Sequence, residues 1–307
     1  MSSLAKISAG LLVAAAVAGG AAWFLATPSR LNAAALASFG EGDASRGEQV
    51  FWAAGCASCH AAPGAEGDAV LQLGGGERFK TEFGVFVAPN ISQHPTDGIG
   101  SWSVEDLANA MMRGVSPDGR HYYPAFPYAS YARMKPADIA DLSAFLKTLP
   151  AVEGRAASHQ IGFPFHQRRA LGLWKLLYLD EAPAVVLENP SQEALRGQYL
   201  VEGPAHCGEC HTPRSALGGL DKTRWLAGTV AAEGEGNVPN ITSGEGGIGD
   251  WSDFEISDLL ETGFTPDYDS VGGSMAPVVR GMAKLPQSDR DAIAAYLKAI
   301  PGHPDAY

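Results

Sequence analysis

The chain has 307 residues, enough for about two domains, and 46% of them are hydrophobic, enough to fill ordinary cores. Its formal net charge is −12, which argues against nucleic acid and anionic lipid headgroups as general partners, because their phosphates repel an acidic surface, and suits a partner with a basic docking patch. The 37 glycines and 20 prolines predict many turns and long ordered loops between short helices.

In chain order the first expected unit is a targeting or anchoring segment, 1–30. Lys6 precedes an uncharged run, Ile7 to Ser29, that closes at Arg30. Its apolar part, Ile7 to Ala26, is about 20 residues, the length that crosses a bilayer as a helix. A cleavable signal has an apolar region of about 7–15 residues. An Ala-Leu-Ala sequence at Ala35 to Ala37 is a possible cleavage site, but Arg30 and Asn32 stand far from a normal junction. The segment predicts one retained N-terminal transmembrane helix, with the rest of the chain exported.

From residue 40 onward the chain repeats at a shift near 150. Arg46-Gly47 recurs as Arg196-Gly197, Cys56, Cys59 and His60 as Cys207, Cys210 and His211, and Pro89-Asn90-Ile91-Ser92 as Pro239-Asn240-Ile241-Thr242. Gly98-Ile99-Gly100-Ser101-Trp102-Ser103 recurs as Gly247-Ile248-Gly249-Asp250-Trp251-Ser252. A period this long means tandem domains; solenoid repeats run about 20–50 residues. The expected units are a first domain at 40–150, a linker at 151–190 and a second domain at 191–303. Each repeat opens with a short helix, Ala44 to Ala54 or Gln192 to Val201, with Asp43 and Ser191 as N-caps. A middle helix follows Trp102 or Trp251, where Ser103 with Asp106 and Ser252 with Glu255 resemble capping boxes. The last helix starts near Pro136 or Ser288. Ile139, Leu142, Phe145, Leu146 and Leu149 mark the buried stripe of one, and Ile293, Tyr296, Leu297 and Ile300 that of the other. Gly47 and Gly197 let the first helix pack closely on the last. In the linker, Phe163-Pro164-Phe165 and Trp174 to Tyr178 are too apolar for a plain spacer.

All four cysteines lie in two Cys-x-x-Cys-His motifs, Cys56-Ala-Ser-Cys59-His60 and Cys207-Gly-Glu-Cys210-His211. Two thiols three residues apart on a helical turn can each add to one vinyl group of a haem, and the next residue then aims its imidazole at the iron. A zinc ribbon wants its cysteine pairs about 15–20 residues apart, and a thioredoxin-like pair needs a βαβ setting. Two local disulfides would leave both histidines unexplained. The motifs predict two covalently bound haem c groups, with His60 and His211 as iron ligands.

A thioether is a soft sixth ligand that favours the reduced iron. In the second half Met275, in Gly-Gly-Ser-Met-Ala-Pro, lies on a loop able to turn toward the iron, ahead of Met282 near the final helix. In the first half the candidates are Met111, Met112, Met134, His94 and His121. Met111 and Met112 fall mid-helix, where packing is the ordinary role, and Met134, in the loop before the last helix, fits best. Asn90, Trp102, Asn240 and Trp251 are candidate hydrogen-bond donors to haem propionates, and Arg113 and Arg120 candidate ion-pair partners.

The two halves resemble the membrane-anchored cytochrome c subunits of periplasmic dehydrogenases that oxidise alcohols, aldehydes and gluconate. The resemblance rests on the paired haem motifs, the two Pro-Asn-Ile-Ser/Thr … Gly-Ile-Gly-x-Trp-Ser segments and Tyr123-Pro124-Ala125-Phe126-Pro127-Tyr128. It implies an all-α fold of two tandem class I-like cytochrome c domains with long ordered loops, preceded by one transmembrane helix. It also implies electron transfer on the periplasmic side of a bacterial inner membrane, from a dehydrogenase catalytic subunit to a downstream cytochrome or terminal oxidase, with no catalysis of its own. Some relatives read Pro-Ala-Met-Pro-Tyr and use that methionine as ligand; Phe126 stands there in this chain, so Met134 becomes the substitute. If Met134 does not bind, the first haem has an open site. That keeps a two-haem peroxidase or thiosulfate dehydrogenase-like enzyme as the competing reading, and a haem subunit of an oxidase or photosynthetic complex as the third.

Overall fold

In a computed structural model the described residues are 3–231 and 236–307; the side chains of residues 3–5, 8 and 9 lie outside them. Helix α1 (Ser3–Leu25) has 23 residues and carries no acidic residue in its first turn and no basic residue in its last. Among the described residues no helix is long and apolar enough to cross a membrane. The transmembrane helix expected at 1–30 is therefore not carried by the structure, and part of that segment, including Met1 and Ser2, lies outside the described residues.

The first half builds α2 (Ala33–Leu36), α3 (Ala44–Ala53), α4 (Cys56–His60), β1 (Arg78–Thr81), β2 (Gly84–Val87), α5 (Val104–Arg113), α6 (Tyr128–Tyr131) and α7 (Pro136–Leu146). The linker contributes β3 (Gln160–Ile161) and α8 (Leu171–Tyr178). The second half adds α9 (Gln192–Glu202), α10 (Gly208–His211), β4 (Thr229–Val230), β5 (Asn237–Val238), α11 (Asp253–Thr262), α12 (Met275–Met282) and α13 (Gln287–Ala299). Local chemistry sets the starts. Asp43 and Ser191 accept the N–H of Arg46 and Ala194 at 2.8 and 3.0 Å. Both expected capping boxes form, Ser103 with Asp106 and Ser252 with Glu255, and left-handed Gly114 and Gly263 end the same two helices.

The fold is mostly helical, with one correction to the all-α expectation. Among the described residues two small antiparallel sheets form, β1-β2-β3 and β4-β5. Their strands come from the glycine-bounded loops, and in the first Phe79 pairs with Phe86; aromatic and β-branched residues favour such pleated, half-buried pairing.

Buried side chains sort into two clusters. One gathers Phe51, Leu73, Leu107, Met111, Ile139, Leu142 and Phe145. The other gathers Leu200, Trp225, Leu226, Ile256, Ile293, Tyr296 and Leu297, together with Ala53 from the first half. In each half the first helix lies against the last. A Cβ on Gly47 would collide with the Asp141 carbonyl, and one on Gly197 with the Ala292 carbonyl, so glycine sets how close these helices come. Ion pairs join the same helices, Arg46 to Asp141 at 2.7 Å and Arg196 to Asp289 at 2.8 Å.

Burial alone would raise the Asp141 carboxyl; its hydrogen bonds from Arg46 and from the Asp43 N–H outweigh that and hold it below the ordinary carboxylate value. A carboxylate with a depressed folded pKa stabilises fully above its unfolded value of about 3.9 and loses that contribution as pH falls through the folded one. Acid titration of stability below about pH 4 should therefore be flatter in Asp141→Asn than in the wild type, as read by circular dichroism. An identical acid limb would show that the pair does not contribute.

Candidate functional site

Each Cys-x-x-Cys-His turn follows a left-handed residue that resets the chain after the first helix. In the first half this is Gly55, with φ 60°, the N-cap of α4. His206 stands at the matching place before Cys207, with φ 41°; histidine is among the few side-chain-bearing residues that enter this region with some frequency. Trp225 packs so closely on Gly208 that a Cβ there would collide with its ring, which accounts for glycine after Cys207.

The two histidines are held alike. Nδ1 of His60 lies 2.9 Å from the Pro89 carbonyl, and Nδ1 of His211 lies 2.8 Å from the Pro239 carbonyl. A carbonyl can only accept, so each Nδ1 carries the hydrogen and Nε2 is left with its lone pair for a metal. Burial pulls both imidazoles below their ordinary pKa, against the effect of the carbonyl bonds, which keeps them neutral and able to ligate. Burial likewise pushes the Cys56 and Cys207 thiols up to about 12. Among the described residues no group of three or more His, Cys, Asp or Glu is placed to hold a metal ion by itself. One oriented histidine beside two cysteines, found twice, fits a metal that arrives inside a covalently attached haem. His60 and His211 would be the axial ligands, and Cys56, Cys59, Cys207 and Cys210 the thioether anchors.

The repeated Pro-Asn-Ile-Ser/Thr segments thus supply the carbonyls that orient the histidines. The asparagines behave differently from the expected propionate donors. Asn90 Nδ2 donates to the carbonyls of Val152 and Gly154, both at 2.8 Å, while its Oδ1 accepts from the Ser92 N–H. Asn240 Nδ2 donates to the carbonyls of His303 and Glu245 at 2.7 and 3.4 Å, and its Oδ1 accepts from Thr242. With both amide hydrogens engaged, each asparagine fastens the chain beyond the last helix to the histidine's loop, and neither keeps a hydrogen for a propionate. Trp102 lines a surface cavity with Ile99, Leu107 and Leu146, and Trp251 packs partly buried against the second cluster. Arg113 pairs with Glu181 at 2.9 Å and Arg120 with Asp118 at 2.6 Å, so both cations already have carboxylate partners.

Met134 is buried in the first cluster, which Cys56 and Ala57 border. Met275 is half-buried against the second, which Cys207 borders. Met275 is the first residue of α12, not a loop residue as expected. Met111 and Met112 are buried on α5, and Met282 is a core residue. His121 lies away from the motifs: its Nε2 is 3.0 Å from the Ala26 carbonyl. In the repeat register Met134 falls on Leu285. Their N–H groups bond the Tyr131 and Met282 carbonyls at 2.9 and 3.0 Å, each just before a last helix.

Helix α6 bridges the surroundings of the two motifs, which sequence reading did not anticipate. The Tyr131 and His206 rings stand edge to face, 5.4 Å between centroids, and the Tyr131 hydroxyl donates to the Ala54 carbonyl at 3.0 Å. Ser58, inside the first motif, donates to the Pro277 carbonyl at 3.3 Å. Glu209, inside the second, accepts from Ser130 at 2.9 Å and pairs with Arg214 at 2.7 Å. The signal available was positional: His206 is a polar residue next to the second motif and Glu209 a polar residue inside it.

A cytochrome c family profile matches residues 44–150. A diheme cytochrome c-type protein of Cereibacter sphaeroides is 53% identical over 96% of this chain and 98% of its own length. The fructose dehydrogenase cytochrome subunit of Gluconobacter japonicus is 36% identical over 84% of this chain and 52% of its own length. The gluconate 2-dehydrogenase cytochrome c subunit of Pantoea cypripedii is 33% identical over 88% of this chain and 63% of its own length. The chain thus spans nearly all of the first relative and less than two thirds of the other two.

Proposed function

Because this chain belongs to the diheme cytochrome c family, we propose that it relays electrons from a dehydrogenase catalytic subunit to a downstream cytochrome or terminal oxidase. It is an electron-transfer haem protein with two covalently bound haem c groups, and the haems supply the one-electron chemistry. Its relatives include cytochrome subunits of fructose and gluconate dehydrogenases, which favours an electron-carrying role over a peroxidase-like one. The observation that carries the relay is the bridge that α6 makes between the two haem motifs: Tyr131 bonds Ala54 just before the first and meets His206 just before the second, and Ser130 bonds Glu209 inside the second. Two redox centres whose attachment turns are held by one short helix are placed to exchange electrons without a third partner. The test is gentle solubilisation of native membranes. The protein should copurify with a dehydrogenase, and that enzyme's substrate should reduce both haems. Haems that stay oxidised in the copurified complex would overturn the reading.

The division into haem domains at 40–150 and 191–303, joined by the linker, is part of the same proposal. So is attachment to the periplasmic face of the inner membrane through α1. Leu11, Leu12, Val13, Val17 and Phe24 on this helix are each more than three-fifths exposed to solvent, and a helix of 23 residues is about 35 Å long. A row of bare aliphatic side chains this long is costly in water, which supports a lipid setting for it.

For the sixth ligands the proposal is Met134 and Met275, each buried or half-buried in the cluster its own motif borders. Trp102 and Trp251 remain the proposed propionate donors. Both irons should be low-spin, with no ready binding of carbon monoxide. Because Leu285 fills the place of Met134 in the second half, Met134→Leu is the informative change: it keeps the packing volume and removes the sulfur. It should turn the first haem high-spin, and Met275→Leu the second, in optical and electron paramagnetic resonance spectra. A Met134→Leu protein with both haems still low-spin would assign Met134 to packing.

A further inference from the structure

One face of α8 is left uncovered by the rest of the described chain. Trp174 donates its indole N–H to the Leu217 carbonyl at 2.9 Å, Lys175 donates to the carbonyls of Arg113 and Gly114 at 2.5 and 2.8 Å, and the Tyr178 ring lies on Gly219. These three side chains hold the helix to the protein. Leu173, Leu176 and Leu177, spaced i, i+3 and i+4 and so on one helical face, are 37%, 61% and 66% exposed.

This helix is fixed to the end of α1. Gly172 meets Ala26 so closely that a Cβ would lie 2.5 Å from the Ala26 Cα. Arg169 donates to the Trp23 carbonyl and to the Thr27 hydroxyl, both at 2.8 Å, and its guanidinium sits 4.4 Å over the Trp23 ring. Trp23, Phe24 and Leu25 beside it are all more than half exposed. The local charge also departs from the chain's. Residues 160–179 carry Arg168 and Arg169 and no Asp or Glu before Asp180 and Glu181, in a chain of net charge −12, while Lys175 is turned inward onto the Arg113 and Gly114 carbonyls.

We infer that Leu173, Leu176 and Leu177 rest in the headgroup boundary of the lipid bilayer that α1 enters. The inference rests on membrane attachment through α1. If α1 enters a bilayer, its end at Trp23 to Leu25 lies at the interface, where tryptophan is favoured, and α8, locked to Ala26, lies at the same depth. The two arginines that precede the apolar helix, Arg168 and Arg169, are what an anionic bilayer surface attracts; the acidic remainder of the surface would be repelled. Alone, an eight-residue helix binds lipid weakly. Tethered to an inserted segment it meets lipid at high effective concentration. The second contact would hold the haem-bearing halves in one orientation above the membrane.

The test is photocrosslinking of the full-length, haem-loaded protein in vesicles of phosphatidylethanolamine and phosphatidylglycerol. A benzophenone amino acid is placed singly at Leu176, at Leu177, at Leu11 on α1, and at Phe254, which is 69% exposed on α11. Phospholipid adducts at 176 and 177 should match those at 11 and exceed those at 254 several-fold. Adducts at 11 without adducts at 176 and 177 would overturn the inference and leave the anchor standing. Adducts at none of the four would overturn the attachment and the inference together. Equal adducts at 176, 177 and 254, or crosslinks at 176 to a second polypeptide in native membranes instead of lipid, would also overturn it, the latter in favour of a protein partner.

Discussion

Exchange of Cys207 and Cys210 for serine is expected to leave a protein with one haem instead of two. Cys207, Cys210 and His211 form one short turn, and the Pro239 carbonyl fixes the imidazole beside them. Serine hydroxyls do not add to the vinyl groups, so the second haem loses both covalent tethers while the first keeps Cys56 and Cys59. Intact mass of the denatured protein should fall by one haem, and haem staining after SDS electrophoresis should halve. The loss should also loosen the second half. Its cluster of Leu200, Trp225, Leu226, Met282 and Tyr296 borders the Cys207 attachment point, and a small domain deprived of a large apolar group has little else to bury. The unfolding transition should therefore split, with the second half melting first. Two haems surviving in the double variant, or both disappearing, would contradict independent attachment in each half. In the wild type, loss of both haems on acid–acetone extraction would overturn covalent attachment itself.

The largest effect on stability from a single methyl group is expected at Gly197. A Cβ there collides with the Ala292 backbone carbonyl and presses on the Tyr296 side chain. Neither relieves the clash cheaply, since the carbonyl belongs to the middle of α13 and the Tyr296 hydroxyl donates to buried Glu202 at 2.6 Å. Helices α9 and α13 must move apart, which loosens the Arg196–Asp289 pair and opens the core between them. The cost should be about 3 kcal/mol or more, at the upper end for overpacking, although alanine is the better helix former. Gly47→Ala should behave alike through the Asp141 carbonyl. Gly272→Ala, with nothing within 4 Å of the added carbon, is the matched control and should change stability little. Chemical denaturation at neutral pH measures all three, and a Gly197→Ala protein as stable as the control would show that the helices separate without loss.

The sequence carried its local signals plainly because each depends on neighbours a few residues away. The N-caps Asp43 and Ser191, both capping boxes and the start of α7 at Pro136 lie where the residues place them. So do the buried stripes of Ile139, Leu142, Phe145 and Leu146 and of Ile293, Tyr296, Leu297 and Ile300. The small sheets were missed because two- to four-residue strands in glycine-rich loops have no period to read. Met275 was read as a loop residue because Gly272-Gly273 before it and Pro277 after it resemble turn chemistry, yet proline is tolerated in the first turn of α12.

By itself, the sequence determined that this chain attaches two haems, one in each repeat, since adjacent thiols and a following histidine are covalent chemistry read at fixed spacing. It also determined the close packing of first helix on last, because only glycine admits a backbone at contact distance. The roles of Asn90 and Asn240 were decided by tertiary structure alone, since their amide hydrogens are taken by carbonyls about 60 residues away in sequence. The same holds for the contact of α6 with the approach to the second haem motif at Tyr131 and His206, 75 positions apart, and for the seating of α8 on the end of α1 through Gly172 and Ala26. A hydrogen bond or ring contact forms between whichever groups the fold brings together, and no spacing along the chain records that.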